Sequence, residues 1–163
     1  MLRQGYFADR RWNQRKASEI GRKWIINQFI NGFISVTAPA NPVIADVDCA
    51  IISLMDCIKI FGEIPESFTT DRGMYSADNI MLCKTLGIGK IGIQPKGNAA
   101  WEVDPETARE LYCRRASIEP RIGHAGRLGL KMSRMKTDDG DLISGQKSAI
   151  GLNLRKLLRC WAI

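Results

Sequence analysis

Two short runs rich in β-branched and aromatic residues, over residues 23–29 and 33–38, flank the dipeptide Asn31-Gly32. Asn-Gly between such runs is a strong local signal for a hairpin, because both residues tolerate the positive φ that a tight turn demands. Pro39 and Pro42 then break the chain. From Val43 or Asp46, the apolar positions Val47, Ala50, Ile51, Leu54, Ile58 and Phe61 recur at helical spacing, and Gly62 and Pro65 supply the stop signals. Residues 67–70 read as a short strand that delivers Asp71 at its end, with Arg72-Gly73 turning the chain. Ser76 is placed to cap a helix running to about Leu86, closed by Gly87. Residues 90–94 read as another strand, stopped by Pro95 and Gly97, and Val103-Asp104 opens a helical stretch with Pro105 in its first turn. A last helix follows Gly140 or Asp141, with Ile143, Ile150, Leu154, Leu157 and Leu158 on its apolar face. Residues 1–21 show little periodicity and many arginines, and read as an arm.

Strands alternating with helices predict an α/β fold with at least some parallel pairing. A chain of 163 residues, 45% hydrophobic and 25% charged, is about one domain with one substantial core. No apolar run approaches the ~18–20 residues of a membrane span and no signal peptide precedes the basic start, so a soluble, cytoplasmic protein without a membrane partner is expected.

Charge narrows the partner. The chain has 24 basic and 17 acidic residues, a net +7, unevenly placed. Residues 1–23 hold seven basic and two acidic side chains, residues 24–108 five and ten, residues 109–136 eight and two, and residues 137–163 four and three. Two basic blocks around an acidic centre fit a surface that grips phosphates beside a site needing carboxylates. A solvated helix face accounts for one such block but less readily for two.

The five cysteines never form a C-x-x-C pair, which argues against structural zinc. Cys49, Cys57 and Cys83 lie among apolar residues and read as reduced core positions. His124 is the single histidine, and nothing near it in sequence supports a cysteine–histidine nucleophile.

Two features carry candidate chemistry. In open α/β sheets, sites form beyond the carboxyl ends of strands, and Asp71 stands at such an end; alone, it also reads as an ordinary turn aspartate. Tyr112, Arg115 and Glu119 are spaced so that a continuous helix places them on one stripe. A carboxylate beside an arginine and a phenol suits a metal ligand next to a phosphate, which arginine binds bidentately. The plainer alternative is an Arg–Glu surface pair, worth ~0.3–0.5 kcal/mol. Pro120 disfavours helical geometry at Glu119, so a kink or restart is expected there.

At these residues the chain resembles the catalytic domain of bacterial insertion-sequence DDE transposases, in the subgroup with a tyrosine–arginine–glutamate–lysine signature. Tyr112, Arg115 and Glu119 match its first three positions. Asp71-Arg72-Gly73 with Tyr75 and Ser76 resembles the segment around the second catalytic aspartate, and Gly21-Arg22-Lys23-Trp24 resembles a strand entry. Ile122-Gly123-His124 and residues 151–158, with Asn153-Leu154-Arg155-Lys156-Leu157-Leu158, resemble the C-terminal end. The likeness covers residues 21–163, and residues 1–20 stay a poorly matched basic arm.

The resemblance implies a ribonuclease H-like mixed sheet flanked by helices, lacking its first strand. It implies Mg²⁺ in a two-metal site, with Asp71 and Glu119 as catalytic metal ligands. Tyr112, Arg115, Arg121, Arg127, Lys131 and Arg134 would contact DNA, both insertion-sequence ends and target. Two departures accompany it. The signature lysine falls at Gly126, with Arg127 beside it, and no aspartate matches the first catalytic position. Asp9 has unrelated surroundings, while Asp46 and Asp48 read as helix caps. A truncated, weakly active or inactive, nucleoid-associated transposase is therefore expected, forming a homo-oligomer or associating with a full-length relative. The alternative is a non-catalytic DNA-binding remnant that modulates such a relative. No stacking motif of the common RNA modules is present.

Overall fold

Asn31-Gly32 makes the expected turn. In the computed structural model, which describes residues 2–5, 23–41, 43–97, 99–131, 135 and 137–161, Gly32 adopts φ +80° and the Asn31 side chain accepts a hydrogen bond from the Phe33 amide at 3.2 Å. The turn joins two strands of an antiparallel sheet. That sheet has three strands: β1 (Leu2–Gly5), β2 (Trp24–Gln28) and β3 (Ile34–Thr37), with β2 central. Leu2 lies opposite Asn27, and Ile25 opposite Thr37. Residues 2–5 add a short strand beside β2, and residues 6–20 of the expected arm lie outside the described residues.

β2 is buried on both faces, which explains its nearly unbroken apolar sequence. Ile25 faces a core with Cys49, Ala50 and Leu54 of α1 (Asp46–Phe61), while Trp24 and Ile26 face Ile118, Ala125, Ala149 and Leu152. Helices thus cover the sheet on two sides. Asn27 is fully buried toward α1, donating to Asp56 at 3.0 Å and accepting from Ser53 at 2.9 Å, so the polar break in β2 docks the helix. Gly62 at φ +72° closes α1 as expected. Asp46 and Asp48 are not caps, however. Ala45 holds the cap position and the two acids lie in the first turn, where the helix dipole favours them.

A second sheet pairs β4 (Ser67–Thr69) with β5 (Lys90–Gly92) in parallel. The crossover is α2 (Ala77–Thr85), capped by the Ser76 hydroxyl, which accepts from the Asn79 amide at 3.1 Å. The described residues thus hold two small sheets and are 57% helical, which fits the expected α/β class. Both strands end earlier than the predicted residues 70 and 94. Asp71 already turns the chain after β4, and Pro95 lacks an amide to continue β5.

Helix α3 (Pro105–Ala116) begins with Asp104 accepting from the Thr107 amide at 2.9 Å. A break follows, then α4 (Glu119–Ala125), which widens into a π turn over Gly126–Leu130. Helix α5 (Asp138–Trp161) starts earlier than expected, because Asp138, Asp139 and Asp141 all suit its first turn. It also covers the free edge of β3. Asn153 accepts from the Ile34 amide at 2.9 Å and donates to the Ile34 carbonyl at 2.8 Å, and Gln146 donates to the Val36 carbonyl at 2.9 Å. Two side-chain amides thereby replace a neighbouring strand. Among the described residues, no helix is long and apolar enough to cross a membrane.

Cys49 and Cys83 are buried and Cys57 half-buried, all unbridged, matching the reading as reduced core positions. Burial pushes the Cys83 thiol up to about 11, so it stays protonated and inert near neutral pH.

Candidate functional site

The chain leaves β4 at Thr69, and Asp71 takes an extended conformation with its carboxylate accepting from the Arg72 amide at 2.9 Å. That bond caps a short 3₁₀ turn over Arg72–Met74. Arg72 fixes the outer side of the turn by donating to Gln94 at 2.7 Å. The inner side rests on α1, since a side chain on Gly73 would meet the Asp46 carboxylate at 3.1 Å. Asp46 in turn pairs with Lys23 at 2.8 Å, and the Lys23 ammonium also donates to the Ile44 carbonyl.

Lys23 is 8% exposed, so its charge requires those partners. Lys23→Met is expected to cost about 2 kcal/mol, less than the ~3–5 of a fully buried broken pair because Asp46 keeps 34% of its side chain in solvent. Urea unfolding checks this as a lower midpoint at unchanged slope.

Arg115 reaches the Asp71 turn from α3, with its guanidinium 3.6 Å from the Asp71 carboxylate. On its other side it lies over the Tyr112 ring at 5.5 Å. The contact to Asp71 is an ion pair too long for a hydrogen bond, which leaves the guanidinium's forked donors for an incoming anion. Tyr112 is 57% exposed and presents its ring and hydroxyl to solvent. The neighbouring arginine has a different task. Arg114 pairs with Glu110 at 2.5 Å and donates to Ser67 at 2.8 Å, while Lys90 holds Glu110 at 2.6 Å. The hydrogen bond from Lys90, helped by the charge of Arg114, keeps the Glu110 carboxyl below its usual range, so this network pins α3 to both strands of the second sheet.

The continuous helix that would set Glu119 on one stripe with Tyr112 and Arg115 is interrupted. α3 stops at Ala116, and Glu119 opens α4 with its side chain exposed. Pro120 in the first turn forces the restart, as its sequence position implied. Arg121 lies on α4 beside the hairpin tip, its guanidinium 3.4 Å from where a Gly32 side chain would begin. Arg127 and Lys131 are exposed, while Arg134 lies outside the described residues, as do Asp9, Gly21 and Arg22. Gly126, at the signature-lysine position, is half-buried in the wide turn.

Asp71 and Glu119 offer hard oxygen donors, and the Asp71 side chain is 38% exposed and reachable by a cation. That donor chemistry fits Mg²⁺, which commonly takes one or two protein carboxylates and completes its shell with substrate phosphate and water. Among the described residues, no three His, Cys, Asp or Glu side chains cluster as a ready cation cage.

Sequence spacing missed three cations on α5. Arg155, Lys156 and Arg159 continue the buried stripe of Ser148, Ala149 and Leu152 at helical intervals, beyond the end of the core. Counting charge over residues 137–163 hid them, because the three acids of the same segment sit at the opposite end of the helix. The signal lay in the i, i+3 and i+4 continuation from apolar to basic. Comparison of the chain with protein-family models, with curated proteins and with solved structures finds no match.

Proposed function

We propose that this chain is the catalytic part of a DNA transposase with a ribonuclease H-like fold, weakly active in metal-dependent DNA strand cleavage and transfer because no aspartate matches the first catalytic position. The observation that carries the reading is the Arg115 guanidinium, which meets the Asp71 carboxylate just past the carboxyl end of β4 and lies over the Tyr112 ring. A strand-end carboxylate beside a guanidinium with donors to spare is an arrangement that suits phosphodiester chemistry.

In this reading Asp71 and Glu119 would hold Mg²⁺, which when bound would supply Lewis-acid stabilisation of charge on a phosphodiester. Arg115 grips the non-bridging phosphate oxygens bidentately, held in plane by the Tyr112 ring. Tyr112 hydrogen-bonds an adjacent phosphate or stacks on a base. Lys23 and Asp46 keep the Asp71 turn against α1, so the carboxylate is positioned before DNA arrives. The protein acts on insertion-sequence ends and target DNA at the nucleoid, as a homo-oligomer or with a longer relative.

A second reading is a non-catalytic DNA-binding protein, favoured by the Arg115–Asp71 pair, which neutralises the carboxylate with a fixed cation. Incubation of the purified chain with duplex DNA and Mg²⁺ or Mn²⁺ separates the two. Strand cleavage or joining that is lost in Asp71→Ala and Glu119→Ala, with DNA binding kept, supports the transposase. Salt-sensitive binding without cleavage leaves the second reading.

A further inference from the structure

Five cations gather at the hairpin end of the molecule, drawn from segments far apart in sequence. Arg121 comes from α4, Arg127 from the wide turn after it, and Arg155, Lys156 and Arg159 from the last turns of α5. Their meeting point is marked by two neighbours. A side chain on Gly32 would begin 3.4 Å from the Arg121 guanidinium and 3.5 Å from the Lys156 ammonium. His124 lies among the rest: its pKa is lowered by burial and then by the charges of Arg127, Arg155, Arg121 and Arg159. Among the described residues, none of these five cations has an ion-pair partner.

Like charges brought together without a carboxylate repel, and a surface that keeps them so is suited to bind anions. The contrast with the rest of the fold is sharp, because Lys23, Lys90 and Arg114 are each matched to an acid. The cluster is also distinct from the Asp71 turn. That turn packs beside Lys23 at the start of β2, and Gly32 lies past its other end, five strand residues or roughly 16 Å away.

We infer that the hairpin tip, α4 and the C-terminal turns of α5 form a second binding site, which grips successive phosphates of duplex DNA away from the Asp71 turn. This rests on the nucleic-acid part of the proposed function and adds to it where the DNA continues. Phosphates are favoured over a lipid surface by direction. The exposed apolar residues Ile150, Leu154, Leu158 and Trp161 follow one stripe of α5, whereas Arg155, Lys156 and Arg159 continue its buried face, centred ~150° away. A membrane touching the apolar stripe would miss them. His124 adds a signature. A bound phosphate opposes the repulsion from the four arginines, raises the His124 pKa and so couples binding to proton uptake. Affinity therefore rises as pH falls through the His124 titration.

The test titrates a fluorescent 30-base-pair DNA duplex with the full chain across salt and pH. Arg155→Gln/Arg159→Gln is expected to weaken binding about tenfold at 0.1 M salt and to reduce the log–log salt slope by about 2, near 0.9 per phosphate contact. Lys59→Gln, on exposed α1 surface, should bind as wild type. Gly32→Asp should weaken binding by pairing with Arg121 and Lys156, while Gly32→Asn, equally tolerant of positive φ, should not. This pair of variants keeps the test decisive even if the double arginine variant folds poorly. His124→Gln should flatten the pH dependence. Wild-type affinity and slope in both Arg155→Gln/Arg159→Gln and Gly32→Asp would overturn the site. So would binding to phosphatidylserine vesicles in preference to the duplex. If metal-dependent cleavage is absent but binding depends on these residues, the site stands and the catalytic reading falls. If cleavage depends on Asp71 while the site variants bind as wild type, the reverse holds.

Discussion

Gly145→Ala is expected to destabilise the fold by about 1–3 kcal/mol, although alanine is the better helix former by ~1 kcal/mol. The reason is a single close approach. A β-carbon on Gly145 would sit 2.2 Å from Cη2 of Trp24, with two further ring atoms at 2.5 and 2.8 Å. Trp24 is 4% exposed and wedged among Ile26, Ile118, Leu130 and Leu152, so the ring has no solvent to retreat into. α5 must then lift from the sheet, straining the Asn153 and Gln146 bonds that cover the β3 edge. Most single domains are stable by only ~5–15 kcal/mol, so the loss is visible as a lower urea midpoint. Trp24→Leu in the same chain should recover part of it. Such non-additivity is the mark of a direct clash, whereas purely additive effects would contradict it.

Asp71→Asn carries the largest expected effect on activity, a loss of at least ~100-fold in metal-dependent DNA cleavage. Loss of groups that merely orient a metal ligand costs ~10–100-fold, so loss of a ligand charge should cost more. The same change should leave folding intact, because asparagine still accepts from the Arg72 amide and the site is partly open to solvent. DNA affinity should hold or rise, since the carboxylate that Arg115 now faces at 3.6 Å loses its charge and the guanidinium becomes free for phosphate. Glu119→Gln should lower cleavage to a similar extent. Opposite movement of rate and affinity separates a catalytic role from a structural one.

Much of the fold is legible in the sequence where the signals are local. Asn31-Gly32 marks the hairpin, Gly62 and Gly87 stop their helices at φ +72° and +79°, and Ser76 and Asp104 cap theirs. What the sequence conceals is long-range. β1 lies in a segment without alternation, and only its pairing with residues 24–27 makes it a strand. Lys23 reads as the entry to the first strand, and its ion-pair role appears only once Asp46, 23 positions later, is beside it.

The candidate site was partly legible for the same reason. Tyr112 and Arg115 share a helix, so their spacing predicted their contact, and the strand end placed Asp71 correctly. The helix breaks before Glu119, as Pro120 implied, so spacing alone does not relate Glu119 to Tyr112 and Arg115. The cations of α5 join Arg121 through the packing of α4 and the hairpin tip against α5.

The most direct test of a shared metal site replaces Mg²⁺ with Fe²⁺ and adds ascorbate and peroxide, so that the backbone is cut wherever the ion sits. Wild-type protein with DNA should be cut both at the Asp71–Gly73 turn and at the Ser117–Pro120 junction. Excess Mg²⁺ should protect both places, and Asp71→Asn should spare both. Cutting at one of them alone, or at neither, would contradict joint metal binding by Asp71 and Glu119.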